Sequence, residues 1–410
     1  MKPTEKTKKN SSKVSSRLSL GERVPKLRFP GFEGEWEAKK FGSLICETNN
    51  RTTKENEDIL LSAAIEGMFL NSELFDHQRG ISNKGYKKIS RNTLILSTQN
   101  LHLGNANVNL RFEHGIVSPA YKTYDIIGCN HYLLSHWIKS EKAKKFFYDA
   151  TTVGASLCRR NVEWETLYEQ TLALPNLDEQ NQLAKFLNLL IARISAQRKL
   201  VELLKKHKRG LIKRLFRPNE HTKWKSVRLG EVGTFHKGAP LSKADISEDG
   251  KPFILYGELY TTYGEIIKDV VRRTTAEIDI PYLSRCGDVI IPTSGETAEE
   301  IATASCIMSD GVVLGGDLNI YRSEHIDGRF LAYAVRFIIS RDISRIAQGV
   351  SVVHISATEL KRISVSIPSK DEQIRIISVL ENYDNRILHS YDILKKLEVT
   401  KDGLLQQLFV

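Results

Sequence analysis

Short loops rich in Asn, Gln, Ser, Thr, His and Arg punctuate this 410-residue chain, and they hold the side chains with the most chemistry to offer. Neutral amides, hydroxyls and arginines read base edges by hydrogen bonding, whereas lysines mainly neutralise phosphate. The first half offers Asn49, Asn50 and Arg51, then Gln99, Asn100 and His102, then Arg159 and Arg160. The second half offers Lys237, Ser242, Lys243, Tyr256, Thr293, Ser294, Ser351 and His354. A single Asn or Ser in a loop usually serves turn geometry. Polar loops in two separate halves of one chain suggest two nucleic-acid readers.

Catalytic patterns are missing from the sequence. There is no GxxxxGK[ST] loop, no HExxH and no GxSxG, and His131 and His136 are off the i,i+4 spacing of a helical metal pair. No glycine-rich turn follows a strand in a way that suits a dinucleotide or S-adenosylmethionine, and Asp-Pro-Pro and Asn-Pro-Pro are missing too. Glu296, Glu299, Glu300 and Asp317 lack the nearby lysine that a nuclease cluster would use. Five cysteines without a CxxC pair argue against zinc and against a disulfide scaffold, and favour a reducing compartment. We therefore expect no cofactor and no metal on this chain.

The elements that must position these loops are written twice. Leu174–Phe216 and Ile367–Phe409 align without a gap over 43 residues at a constant offset of 193. Both start on Pro (Pro175, Pro368) and Asp-Glu-Gln (178–180, 371–373), and both finish on Gly-Leu-x-x-x-Leu-Phe. Each half also opens alike, on Trp36 and on Trp224, with a Gly six residues later. Negative charge at the start of each repeat suits a helix dipole. Apolar residues then recur at alternating steps of three and four, so each repeat predicts a long helix with a heptad seam. The pairing residues we expect are Leu187, Ile194, Val201 and Leu204 in the first copy and Leu380, Ile387, Leu394 and Leu397 in the second. Both seams are interrupted at matched places, Gln197/Ser390 and Lys208/Lys401, and Gly210 and Gly403 are candidate kinks. Two such helices, each ending a separate globular unit, are expected to pair antiparallel. At ~1.5 Å per residue each rod is about 58 Å long.

Between the rods, short β-branched runs such as Asn92–Thr98 and Gly287–Thr293 alternate with helical patterns at 131–150 and 329–347. No regular βαβ order appears, so the fold class is α+β. The expected division is a basic disordered tail over 1–24, a globular domain over 25–175, a central long helix over 176–218, a second globular domain over 219–368 and a C-terminal long helix over 369–410. An apolar fraction of 41% is enough for two cores, and no apolar run reaches the ~18 residues of a membrane span. The basic, polar start is no secretory signal.

The net charge of +11 is unevenly placed. Residues 1–30 carry +7 and residues 176–217 carry +8, while 369–410 carry −1. Lys205, Lys206, Lys208 and Arg209 suggest that the first rod faces a polyanion.

The duplicated P-x-x-DEQ helix starts, the paired G-L-x-x-x-L-F endings, the Trp openings and the PKLRFPGFEGEW segment (Pro25–Trp36) together resemble the specificity subunit of type I restriction–modification enzymes. The resemblance covers the chain from about residue 25 onward. It implies two target-recognition domains that each read half of a bipartite double-stranded DNA site, and helices that set the spacing. It also implies two modification subunits that bring S-adenosylmethionine to adenine N6, and restriction subunits that use ATP and magnesium. On that reading the chain is a non-catalytic, cytoplasmic protein with no membrane partner. Unlike globular halves would read unlike half-sites. A methylation-only system, a stand-alone nuclease and a coiled-coil adaptor are the alternatives.

Overall fold

The computed structural model describes residues 23–75, 82–156, 159–218, 223–347, 349 and 352–410. The tail expected over 1–24 therefore lies almost wholly outside the described residues, as do Ser351 and Cys158. The chain forms two compact units, one reaching to residue 198 and including 392–410, the other spanning 199–391. Each unit thus holds one globular stretch and a part of both long helices.

The first unit is built on a four-stranded antiparallel sheet in the order Ile45–Thr48, Tyr121–Ile126, Leu94–Ser97, Ala106–Val108. The run 131–150 forms two helices, His131–Trp137 and Glu141–Asp149, where the sequence suggests one. Ser140 makes the break, because its Oγ accepts the Ala143 N–H and starts the second helix. Phe41, Trp137, Phe146 and Phe147 pack edge-on or tilted between the helices and the sheet, with ring centres 5.1–6.4 Å apart.

The second unit carries a five-stranded sheet in the order Thr234–Lys237, Leu318–Arg322, Val289–Pro292, Ser305–Ile307, Ile266–Ile267, with only the last pair parallel. The run 329–347 is again two helices, Gly328–Phe337 and Ser340–Ile346. Strands and helices follow one another without βαβ order in both units, so the architecture is α+β.

One frame recurs inside each unit. Glu37–Lys40 pairs antiparallel with Thr171–Leu174, and Lys225–Arg228 pairs in the same way with Ser364–Ile367. The strand after each Trp thus meets the strand that leads into the long helix. The Gly of each opening follows from this approach. A Cβ on Gly42 would lie 2.8 Å from Tyr168 Cβ, and one on Gly230 would lie 2.9 Å from Lys361 Cβ.

The long helices run Leu177–Leu215 and Lys370–Leu408, 39 residues each. Both continue through Gly210 and Gly403, the two candidate kinks. In the first unit Leu183 and Leu187 share a core with Leu404, Leu408 and Phe409, and Arg198 pairs with Glu398 at 2.5 Å. In the second unit Ile212 and Phe216 share a core with Ile376, Ile377 and Leu380, and His207 Nδ1 lies 3.0 Å from Tyr383 Oη. Partners fall on the second helix as they rise on the first, which makes the pairing antiparallel. The same cores include Trp137 and Phe147 in one unit and Phe330 and Tyr333 in the other. Each helix therefore packs on its neighbour and on a globular core together.

Leu187, Ile194, Val201, Leu204, Leu380 and Leu394 are buried, while Ile387 and Leu397 are half-buried. The polar seam residues Gln197, Ser390 and Lys208 are buried as well.

Candidate nucleic-acid interface

In the first unit the loop after Ile45–Thr48 leaves Asn49, Asn50 and Arg51 exposed. Arg51 Nε donates to Asn49 Oδ1 at 3.0 Å and Nη1 donates to the Gly85 carbonyl at 3.2 Å. The turn after Leu94–Ser97 is held by Ser97 Oγ, which accepts the N–H groups of Gln99 and Asn100 at 3.4 and 3.1 Å. This leaves the Gln99 and Asn100 side chains exposed, with no hydrogen bond to another described side chain. His102 is half-buried, and its Nδ1 is buried with no partner among the described residues. Burial, with help from the Arg160 charge, holds this imidazole below its usual pKa.

Arg160 has local work. Its Nε and Nη2 donate to Thr151 Oγ1 and Thr151 O at 2.7 and 2.9 Å, and its guanidinium stacks 4.0 Å from the Tyr148 ring centre. These bonds brace the Thr151–Ser156/Arg159–Val162 hairpin, whose register shifts between Val153 and Ser156. The Arg159 side chain lies outside the described residues.

In the second unit Lys237 ends Thr234–Lys237, the edge strand of the five-stranded sheet, and is exposed. Lys243 is also exposed, but Ser242 is committed to a turn, since its Oγ accepts the Ala244 N–H and its own N–H donates to Asp245. Tyr256 is half-buried, its ring 6.4 Å from that of Tyr260. Thr293 Oγ1 donates to Asp317 Oδ1 at 3.3 Å. Ser294 is only 7% exposed and pairs with His354 within a two-stranded ladder. His354, its ladder partner, is exposed. A cleft of about 1090 Å³ lies beside the edge strand, lined by His236, Arg285 and Arg322 among others. Its Arg322 is spent on Asp288 at 2.9 Å and its Arg329 on Asp327 at 2.8 Å. Among the described residues no group of three His, Cys, Asp or Glu side chains gathers in metal-binding geometry.

Lys208, one of the four basic residues expected to face a polyanion, is enclosed between its own helix and its neighbours. Its ammonium pairs with Asp384 and with Glu265 (3.2 Å), and lies 4.9 Å from the Tyr333 ring centre, while Tyr333 Oη also donates to Asp384. Lys205 remains exposed and, among the described residues, pairs only with Glu202 on its own helix.

Sequence reasoning took Asp-Glu-Gln as charge for the helix dipole, and missed what the Glu and Gln do. Glu179 is 1% exposed and accepts two bonds from Arg28, at 2.8 and 2.7 Å, and one from Trp36 Nε1 at 3.4 Å. The Pro25–Trp36 segment is thereby docked on the start of the first long helix. Gln180 and Gln373 are buried and tie their helices to Asn130 and Asp327, the N-caps of His131–Trp137 and Gly328–Phe337. Recurrence of the triplet at the 193 offset was the available signal.

Comparison with known proteins agrees with this frame. Residues 221–399 match the family described as type I restriction modification DNA specificity domain. The chain is 23% identical over 386 residues to the type I restriction enzyme MjaVIII specificity subunit of Methanocaldococcus jannaschii, covering 86% of this chain and 87% of that one. It is 24% identical over 274 residues to the putative MjaX specificity subunit of the same organism, covering 62% and 61%. Among solved structures, the S subunit of a type I restriction–modification system from M. genitalium superposes with a TM-score of 0.57 at 16% identity, covering 94% of this chain and 99% of that one. Duplicated docking triplets, twin strand pairs and antiparallel rods thus accompany a type I restriction modification DNA specificity domain match over residues 221–399 and a similarity to type I restriction enzyme specificity subunits along most of the chain.

Proposed function

We propose that the chain is the non-catalytic sequence reader of a type I restriction–modification complex, and that its two globular stretches read unlike halves of an asymmetric, bipartite double-stranded DNA site. The observation that carries the reading is a recurring frame bearing different sheets. Gln180 and Gln373 make the same pair of bonds, but the sheets beside them have four and five strands. A shared frame suits partners of one kind, and different sheets suit different half-sites.

The long helices are the natural seats for two modification subunits, which would bring S-adenosylmethionine and methylate adenine N6. Restriction subunits would bring ATP and magnesium. This chain itself would hold no cofactor, and would work in the cytoplasm. Among the described residues no helix is long and apolar enough to cross a membrane. Single-molecule sequencing of adenine methylation, with and without this chain beside its modification subunit, tests the proposal. The expected result is one split, asymmetric motif that appears only with the chain. Methylation that is unchanged by its omission would overturn the reading.

A further inference from the structure

The segment that carries Asn49 and Arg51 also assembles a charge cluster that no motif announces. Glu47 lies opposite Tyr124 in the Ile45–Thr48/Tyr121–Ile126 pair. Lys122, two residues before Tyr124, faces the same side because side chains alternate along a strand. Arg51 forms an isolated antiparallel bridge with Lys87, so those two side chains also share a face. Lys122 is well held: its Nζ donates to Glu47 Oε2 at 3.0 Å and to Tyr168 Oη at 3.3 Å, and lies 4.6 Å from the Trp164 ring centre.

Lys87 is different. It is 5% exposed, and among the described residues neither a hydrogen bond nor an ion pair reaches its ammonium. The charges that act on it are Glu47, Arg51 and Lys122, so the cluster holds three cations and one carboxylate. Burial, with Arg51 and Lys122 against Glu47, holds the Lys87 ammonium below its usual pKa. The side chain is buried while its Nζ keeps contact with solvent, and two neighbouring cations against one carboxylate make the place unfavourable for a third positive charge. A residue that breaks a local rule in this way is expected where function uses it.

We propose that Arg51, Lys87 and Lys122 form an anion clamp that takes a backbone phosphate of double-stranded DNA, beside the exposed Asn49–Arg51 loop. The proposal rests on the sequence-reading role above and names a contact within it. A phosphodiester supplies the negative charge that the cluster lacks and the acceptor oxygens that Lys87 lacks. Such a contact would position the first unit on DNA without discriminating between sequences.

The test uses the full complex with its modification subunits. DNA affinity is measured against salt on the methylated target and on an unrelated duplex, for wild type, Lys87→Met and Arg51→Gln. Loss of one phosphate contact lowers the salt slope by about 0.9 on both duplexes. We expect that drop, an equal fractional loss of affinity on both duplexes, an unchanged methylated motif, and a Tm for Lys87→Met at or above wild type. Unchanged slope and affinity in both variants would overturn the clamp. So would an altered motif, which would mark a base contact, or a lowered Tm with DNA binding intact, which would mark a structural lysine. A wild-type complex that shows no preference for its target would instead refute the sequence-reading role beneath it.

Discussion

Gln180 accepts the backbone N–H of Asn130 at 2.9 Å and donates to the Pro175 carbonyl at 2.8 Å, so one buried amide joins a globular helix to the start of a 39-residue rod. Gln373 repeats both bonds, with Asp327 at 2.8 Å and Pro368 at 3.1 Å. Removing either amide leaves a buried donor and a buried acceptor unpaired. Gln180→Ala and Gln373→Ala should each cost about 2–4 kcal/mol, measured by denaturant unfolding, because an unpaired buried polar group costs about 1–3 kcal/mol. A loss under about 0.5 kcal/mol would show that the amides do not hold the frame.

The seam lysines give an asymmetric prediction. Lys208 is enclosed by Asp384, Glu265 and Tyr333, whereas its repeat partner Lys401 pairs, among the described residues, only with the adjacent Asp402. Lys208→Met strands two carboxylates and should destabilise by about 3–5 kcal/mol. Lys401→Met should cost less than about 1 kcal/mol, as for a surface pair. Equal losses would refute the network.

Lys139 gives a pH signature. Its ammonium donates to the carbonyls of Ile65 and Ala106, both at 2.7 Å, and to Asn107 Oδ1 at 2.8 Å, and burial pulls its pKa down from 10.5 to about 8. The folded state thus releases this proton before the unfolded chain does. Between about pH 8 and 10.5 the unfolded state binds more protons, so this group makes stability rise with pH there; below pH 8 its burial cost is fully present. The stability of wild type minus that of Lys139→Met should therefore increase across this window. A flat difference would mean an unshifted lysine.

Two candidate readers should part company. His354→Ala removes an exposed ring and should change or weaken the methylated motif with Tm unaltered. Arg160→Ala cuts two bonds to Thr151 and the stack on Tyr148, so it should lower stability by about 1–3 kcal/mol. Full wild-type methylation by His354→Ala would remove that residue from the readers.

The rods carry a geometric prediction. Adding one heptad to each long helix, in register, lengthens the pair by about 10 Å. The gap between methylated half-sites should then grow by about three base pairs at 3.4 Å each. An unchanged gap in sequenced methylated DNA would end the spacing role.

The sequence alone determined the duplication, both rods, their heptad seams and the α+β class, because these rest on periodicity and on a constant offset that need no tertiary contact. It also located the exposed loops of Asn49–Arg51, Gln99–Asn100 and His354, since polar runs between apolar strands go to the surface. Only the tertiary structure decided which polar residues are spent. Ser294 disappears into a ladder and Lys208 into a buried ion pair, each because of a neighbour remote in the chain. The same holds for what the sequence passed over. Glu179 meets Arg28 across 151 residues, and Lys87 joins Arg51 and Lys122 only through strand pairing. Residue type and spacing report what a side chain is able to do. Burial and partners, set by distant segments, decide what remains free for it to do.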